Sequence, residues 1–245
     1  MVGKGIYLEI IGDMLQEIEK TQADNIEKAS KLIYESINNG GVLHTYSTGH
    51  SHMIMEEMFY RTGGLVPVNP IFDSNTMLHQ GVLKSTELER LSGYAKVVLN
   101  NADIRKDENI LICSNSGINA VPIEAAIIAK EMGLNVIAIT SASVSEKAKS
   151  RHSSGLKLKD LADIVIDNCI KDSDAAIKIE QTNQLVAPVS TIVGSYIVNR
   201  IVIDVVNEFL KNNTIPPVFM TANVEGGYEF NEKLISQYKE RIKSF

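Results

Sequence analysis

Apolar positions in this chain fall into two kinds of run. Ile110-Leu111-Ile112-Cys113 and Val136–Ile139 are short apolar blocks without polar alternation, the mark of strands covered on both faces. Between them, Val121–Met132 repeats apolar residues at helical spacing, and Gly133 stands where a helix C-cap belongs. The stretch Ile110–Thr140 therefore predicts a right-handed βαβ unit with parallel strands. Val42–Tyr46 predicts a first strand and Leu65–Asn69 a second, whose Pro67 belongs at a sheet edge. A fifth strand is predicted at 162–167. An outermost second strand suits the order 2-1-3-4-5, a flavodoxin-like winding.

The rest of the pattern is mostly helical. Residues 4–38 carry two apolar stripes, one from Ile10 to Ile18 and one from Ile26 to Ile37. They predict two helices with a break near Thr21-Gln22-Ala23-Asp24. A helix is expected over Ser51–Arg61, one or two over Thr86–Asn101, and a loop with a short helix over 141–160. Residues 170–187 follow no clear period. Pro188 is read as the first turn of a long helix to about Leu210. That helix is apolar on more than one side, so it is expected to be buried or to lie in a subunit interface. A last amphipathic helix is predicted over 231–244. The expected whole is a three-layer α/β/α sandwich with a five-stranded parallel sheet. Residues 1–40 form a helical pair on the sheet or a partner, 41–210 the main domain, and 211–245 a tail with a helix.

Composition narrows the function classes. The 245 residues are 44% hydrophobic, enough for one large core, and the net charge is −6. That acidity argues against a nucleic-acid partner, which needs a clustered basic surface. No run of about 18 apolar residues exists, so no membrane span is expected. Residues 1–12 lack the long apolar core of a secretion signal. The two cysteines, Cys113 and Cys169, sit in or beside predicted buried strands and read as reduced thiols. A cytoplasmic protein is expected.

The candidate chemistry lies in two strand-to-helix turns. Ser114-Asn115-Ser116-Gly117-Ile118-Asn119 joins the carboxyl end of a strand to the amino end of a helix. Unpartnered helical N–H groups and the positive end of the macrodipole favour an anion there without Lys or Arg. Ser114, Ser116 and Asn119 add side-chain donors, and Gly117 permits close backbone approach. A plainer alternative is that Ser116 and Asn119 only cap the helix. Ser47-Thr48-Gly49-His50-Ser51 is a second such turn. In the order 2-1-3-4-5 the first and third strands are neighbours, so both turns should border the crevice at the switch point.

These residues resemble a known family. S-N-S-G-I-N, followed by A-x-x-x-A-K-E-x-G-L-N-V-I-A-I-T, is similar to the SIS (sugar isomerase) domain signature. Y-S-T-G-H-S-H looks like a variant of that family's first turn, with a G-H-S comparable to the G-S-H of phosphoheptose isomerases. Asn119 stands where the signature has Ser or Thr. The resemblance implies a phosphorylated sugar as ligand, bordered by Ser47, Thr48, Gly49, Ser51, Ser114, Asn115, Ser116, Gly117 and Asn119. It also implies a homodimer or higher homo-oligomer. No cofactor is expected, since neither G-x-x-x-x-G-K-[ST] nor G-x-G-x-x-G after a strand occurs.

Aldose–ketose isomerisation moves a proton between adjacent carbons and needs a base. Members of the family commonly use a Glu and a His. Here Glu56 and His52 are spaced i, i+4 on one helix face, and His79 lies in a loop at the same end. They are the catalytic candidates, although Glu56 and His79, each taken alone, read more readily as solvated surface residues. The phosphoheptose isomerase pair falls later on this helix, at Glu57 and about Arg61, and does not carry over. His152 ranks lower, and His44 reads as structural. His50, His52, Glu56 and His79 lack the tight spacing of a zinc signature, so no metal is expected. Three functions stay open: a sugar-phosphate isomerase, a non-catalytic phosphosugar sensor, and an amino-sugar or etherase-type enzyme.

Overall fold

In the computed structural model, which describes residues 5–245, the chain opens with a 33-residue helix, α1 (Ile6–Asn38). There is no break at 21–24. Gln22 in that stretch and Asn25 just after it face the last strand of the sheet rather than a turn. Asn25 Nδ2 donates to Val165 O at 3.0 Å, and Asp167 N donates to Gln22 Oε1 at 3.0 Å. Polar positions inside an amphipathic pattern have become docking points, and the helix runs through them.

The elements that follow are β1 (Leu43–Ser47), α2 (His52–Met58), β2 (Val68–Pro70), α3 (Val82–Leu88), α4 (Tyr94–Leu99) and β3 (Asn109–Cys113). Next come α5 (Ala120–Glu131), β4 (Asn135–Thr140), α6 (Ala142–Lys147), α7 (Leu158–Leu161) and β5 (Ile164–Asp167). β1 to β5 form one sheet in the order β2-β1-β3-β4-β5, parallel throughout. The expected architecture is therefore present, with the proline-bearing β2 at the edge. β2 is three residues long and begins later than predicted. Leu65 and Val66 instead bond to the 217–218 segment, Val66 N donating to Pro217 O.

Strand side chains alternate between two cores, as pleating requires. Leu43, Leu111, Ile137, Ile139 and Ile166 face one side and pack with α1, α2 and α8 (Ser190–Lys211). Tyr46, Ile110, Ile112, Val136 and Ala138 face the other and pack with α4, α5 and α7. Residues 170–187, which showed no period, hold an antiparallel hairpin of β6 (Ala175–Lys178) and β7 (Leu185–Pro188), outside the main sheet. Pro188 closes this hairpin instead of opening α8, whose first N–H groups are taken by Asp174. Ser190 N donates to Asp174 Oδ1 at 2.7 Å. The last helix, α9 (Gly227–Tyr238), starts and stops earlier than predicted.

At the amino end of the sheet lies a buried charge network. His44, fully buried on β1, meets Glu108 Oε2 through Nε2 at 2.8 Å and accepts from Asn69 Nδ2 at 3.1 Å. Arg241, beyond α9, donates through Nη2 to Glu108 at 2.7 and 3.0 Å and through Nε to Asp103 at 2.8 Å. Burial alone would push the Glu108 carboxyl up. Hydrogen bonds from His44, Arg241 and the Arg105 N–H outweigh it and hold the group down at about 2. Its ordinary value is 4.5, so the stabilisation it supplies is present above 4.5 and is lost as pH falls towards 2. Replacing Arg241 by Met should cost about 3–5 kcal/mol in urea unfolding at neutral pH, because it strands a buried carboxylate. The same variant should lose less stability than wild type on acidification through that window.

Candidate functional site

The two turns sit side by side because β1 and β3 are direct neighbours, with Ser47 paired to Cys113 in register. The pairing also consumes Ser47. Its hydroxyl donates to Tyr46 O at 2.7 Å and accepts from Cys113 N at 3.2 Å, and the residue is buried. Ser47 thus joins the strands instead of offering a donor to a ligand. Ser114 is also turned inward, its oxygen accepting from Gly117 N at 3.3 Å. Gly117 has φ +62°, and a Cβ on it would come within 3.1 Å of both Leu158 Cβ and Thr140 Oγ1. Only glycine fits this conformation and this contact.

Other turn residues remain directed outward. Ser116 is half-buried, and its hydroxyl has no hydrogen-bond partner among the described residues. Asn115 accepts from Asn168 Nδ2 through Oδ1 at 2.8 Å. Ser51 stands within hydrogen-bonding reach of the Cys113 thiol, which burial pushes up to about 12. His50, Ser51, Cys113 and Asn115 line a narrow cleft that continues to Asn168, Ser190 and Thr191. The turns therefore do share a cavity, through Ser51 and Asn115 rather than through Ser47 and Ser116.

Asn119 is the N-cap residue of α5, yet its side chain makes no cap bond. Capping therefore does not account for it. Its Nδ2 donates to Glu89 Oε1 at 2.7 Å, and its Oδ1 accepts from Arg151 Nη1 at 2.6 Å. Thr48 Oγ1 donates to the other Glu89 oxygen at 3.0 Å. Gly49, with φ +57°, lies beside Glu89, and a Cβ there would make an ordinary 3.8 Å contact with Glu89 Oε2. Glu89 thus bridges the two turns. Its backbone carbonyl also accepts from Val121 N, in the first turn of α5, at 3.0 Å. Desolvation pushes the Glu89 carboxyl above its ordinary 4.5, opposed by the Thr48 hydroxyl and by the Arg90 and Arg151 charges.

Neither Glu89 nor Arg151 stood out in the sequence. Glu89 is one of several charged residues in a short helix, and Arg151 belongs to a polar loop. Arg151 is placed by a backbone bond, its N donating to Ile118 O at 2.8 Å. A cation therefore stands at a turn expected to work with uncharged donors alone.

The candidates on α2 form a separate cluster. His52 is buried, and its Nδ1–H donates to the Gly49 carbonyl, which turns Nε2 towards Glu56 Oε1 at 3.4 Å. The Glu56 side chain is 55% exposed. His79 is exposed, its ring 6.0 Å from that of His52 at a steep angle. His52, Glu56 and His79 thus come together, outside the residues that line the cleft. Glu57 is held by Arg61 and by Asn199 Nδ2 at 2.8 Å, a structural assignment. His152 is half-buried 3.6 Å from Glu124. Among the described residues no group of three His, Cys, Asp or Glu is placed to hold a metal ion.

The SIS domain family model matches residues 6–141, which include both turns. The chain belongs to the SIS domain family. A UPF0309 protein of Thermoanaerobacter pseudethanolicus is 46% identical over 97% of this chain and 98% of its own length. Among solved structures, a phosphoheptose isomerase from Francisella tularensis matches with TM-score 0.55 and 17% identity, covering 82% of this chain and 95% of that one. The Vibrio vulnificus NanR protein complexed with ManNAc-6P matches with TM-score 0.51 and 12% identity, covering 96% of this chain and 68% of that one. At these identities the structural matches show a shared fold. No described helix is long and apolar enough to cross a membrane.

The Glu89 bridge makes a measurable statement. Carboxyl carbon NMR should place the Glu89 titration midpoint above 4.5, and Thr48→Val should raise it further by removing the hydrogen bond that favours the ionised form.

Proposed function

We propose that this SIS-domain protein binds a phosphorylated sugar at the paired turns and interconverts its aldose and ketose forms by proton transfer. The observation that carries the reading is the side-by-side placing of the β1 and β3 turns at the switch point of the sheet, where Ser51 and Asn115 line one cleft and Glu89 ties Thr48 to Asn119. Phosphate is held by the Ser116 hydroxyl, the amino end of α5 and the Arg151 charge beside it, while Thr48 and Asn119 supply further donors. Such a site suits a dianion, because oriented N–H groups and a nearby guanidinium need no metal. The solved phosphoheptose isomerase and the ManNAc-6P complex on this fold support the phosphosugar class. For the proton, Glu56 is the base, with His52 oriented by Gly49 as its partner and His79 within reach of the same face.

Incubation with a panel of pentose, hexose and heptose phosphates, followed by NMR, should show interconversion of one member. Glu56→Gln should abolish turnover without loss of binding. Ser116→Ala should weaken sugar-phosphate binding by about 1–2 kcal/mol, the worth of one charge-assisted hydrogen bond, with unchanged thermal stability. Binding without conversion of any member favours the sensor reading.

The working form we propose is a cytoplasmic homodimer. Both cysteines are free thiols, as a reducing compartment favours. On and after α8, Ile203, Leu210 and Ile215 are more than half exposed, an apolar surface that suits a second copy. Light scattering should give a dimer mass, and Ile203→Asp should shift it towards the monomer.

A further inference from the structure

Glu89 lies where the proposed site needs donors, and it takes them. Each carboxylate oxygen accepts a bond from a different turn, Oε2 from Thr48 and Oε1 from Asn119. Its main-chain oxygen takes the Val121 N–H, one of the free donors at the start of α5. A threonine hydroxyl has a single proton to donate, so Thr48 cannot serve Glu89 and an incoming phosphate together. An anion arriving at the amino end of α5 would also stand beside a half-buried carboxylate, and like charges in such surroundings repel strongly.

We propose that Glu89 is a built-in competitor of the anionic ligand. Its carboxylate occupies the Thr48 and Asn119 donors, and ligand binding must displace or protonate it. This proposal rests on the phosphosugar reading above. It adds a control on affinity that the turns themselves do not contain. The segment that carries Glu89 is bounded by glycines. It runs from Gly81, φ +125°, to Gly93, φ +86°, backbone angles that favour glycine at both ends. Between them Val82, Leu83 and Leu91 are each more than half exposed, while Ser85 is buried and its hydroxyl donates to Thr76 O at 2.7 Å.

The charges bearing on Glu89 are few. Arg90 on its own segment and Arg151 from the loop after α6 favour the ionised carboxylate. The β1 turn contributes the neutral Thr48, and the start of α5 contributes the neutral Asn119 and a backbone N–H. Protonating Glu89 weakens it as a competitor, so ligand binding takes up a proton. Acidification through its titration range should tighten binding beyond whatever the phosphate's own ionisation contributes.

The test is calorimetric titration of wild type, Glu89→Gln and Glu89→Ala with inorganic phosphate and with the sugar-phosphate panel. Each variant is first checked for a wild-type melting curve. Both variants should bind at least about fivefold more tightly, as expected when a conformer that blocks the site is removed. Wild type, titrated in two buffers of different ionisation enthalpy near pH 5.5, should show net proton uptake in excess of the variants'. Equal or weaker binding by a folded variant, with no excess uptake in wild type, overturns the proposal and leaves the phosphosugar reading standing. If neither wild type nor variants bind any panel member or phosphate, the phosphosugar reading fails, and this proposal with it. Should neither variant fold, wild-type proton uptake on binding sulfate, an anion that does not itself titrate in this range, decides: uptake supports the proposal and none overturns it.

Discussion

The direct pairing of β1 with β3 is the constraint on which the rest of the site depends. Five consecutive residue pairs, from Leu43 with Asn109 to Ser47 with Cys113, bring two strands far apart in sequence into register. The Ser47 hydroxyl completes the ladder by accepting from Cys113 N and donating to its neighbour's carbonyl. Because both strands end at the same level, the turns that leave them have nowhere to go but alongside each other. The helices that follow, α2 and α5, lie on opposite faces and splay apart, which opens the crevice between them.

Electrostatics at that crevice is balanced by charged groups brought from outside the turns. Glu89 comes from the end of α3 and Arg151 from the loop after α6, and the two meet through the Asn119 amide. The amide donates from one atom and accepts on another, a longer span than a single hydroxyl oxygen offers. The residue that departs from the family signature is thus the one that joins a carboxylate and a guanidinium across the turn. Partial burial of Glu89 raises the cost of its charge and makes its ionisation responsive to whatever approaches the site.

At the other end of the sheet, burial has the opposite consequence. Glu108 is supplied with His44, Arg241 and a backbone N–H, and these hold it ionised well below the ordinary carboxyl range. This network joins the chain terminus to the starts of β1 and β3, so it braces from below the same strand pair whose upper ends carry the turns. Two carboxylates of similar intrinsic acidity are driven in opposite directions by the number of charged donors each receives.

The architecture was legible in the sequence because buried parallel strands and their helices leave a periodic record. Ile110–Cys113, Val136–Ile139 and the Gly133 stop announce a βαβ unit, and Pro67 marks an edge. The two turns were legible for the same reason: their position at strand ends follows from the pattern. What the pattern could not convey was direction. The apolar pattern does not say that Ser47 and Ser114 turn inward while Ser116 stays open: Ser47 is held by Tyr46 O and by the remote Cys113 N, and Ser114 by Gly117 N. The polar stretch at 21–24 suggested a helix break, but contacts with β5 keep the helix whole. Glu89 and Arg151 lie 30 and 32 positions from Asn119, one in a predicted helix and one in a polar loop, and no local pattern pairs them with it. The sheet, its winding and the two turns can be read along the chain, because they depend on local periodicity and connectivity. Which donors face the crevice, and which charges meet there, is set by packing between elements remote along the chain.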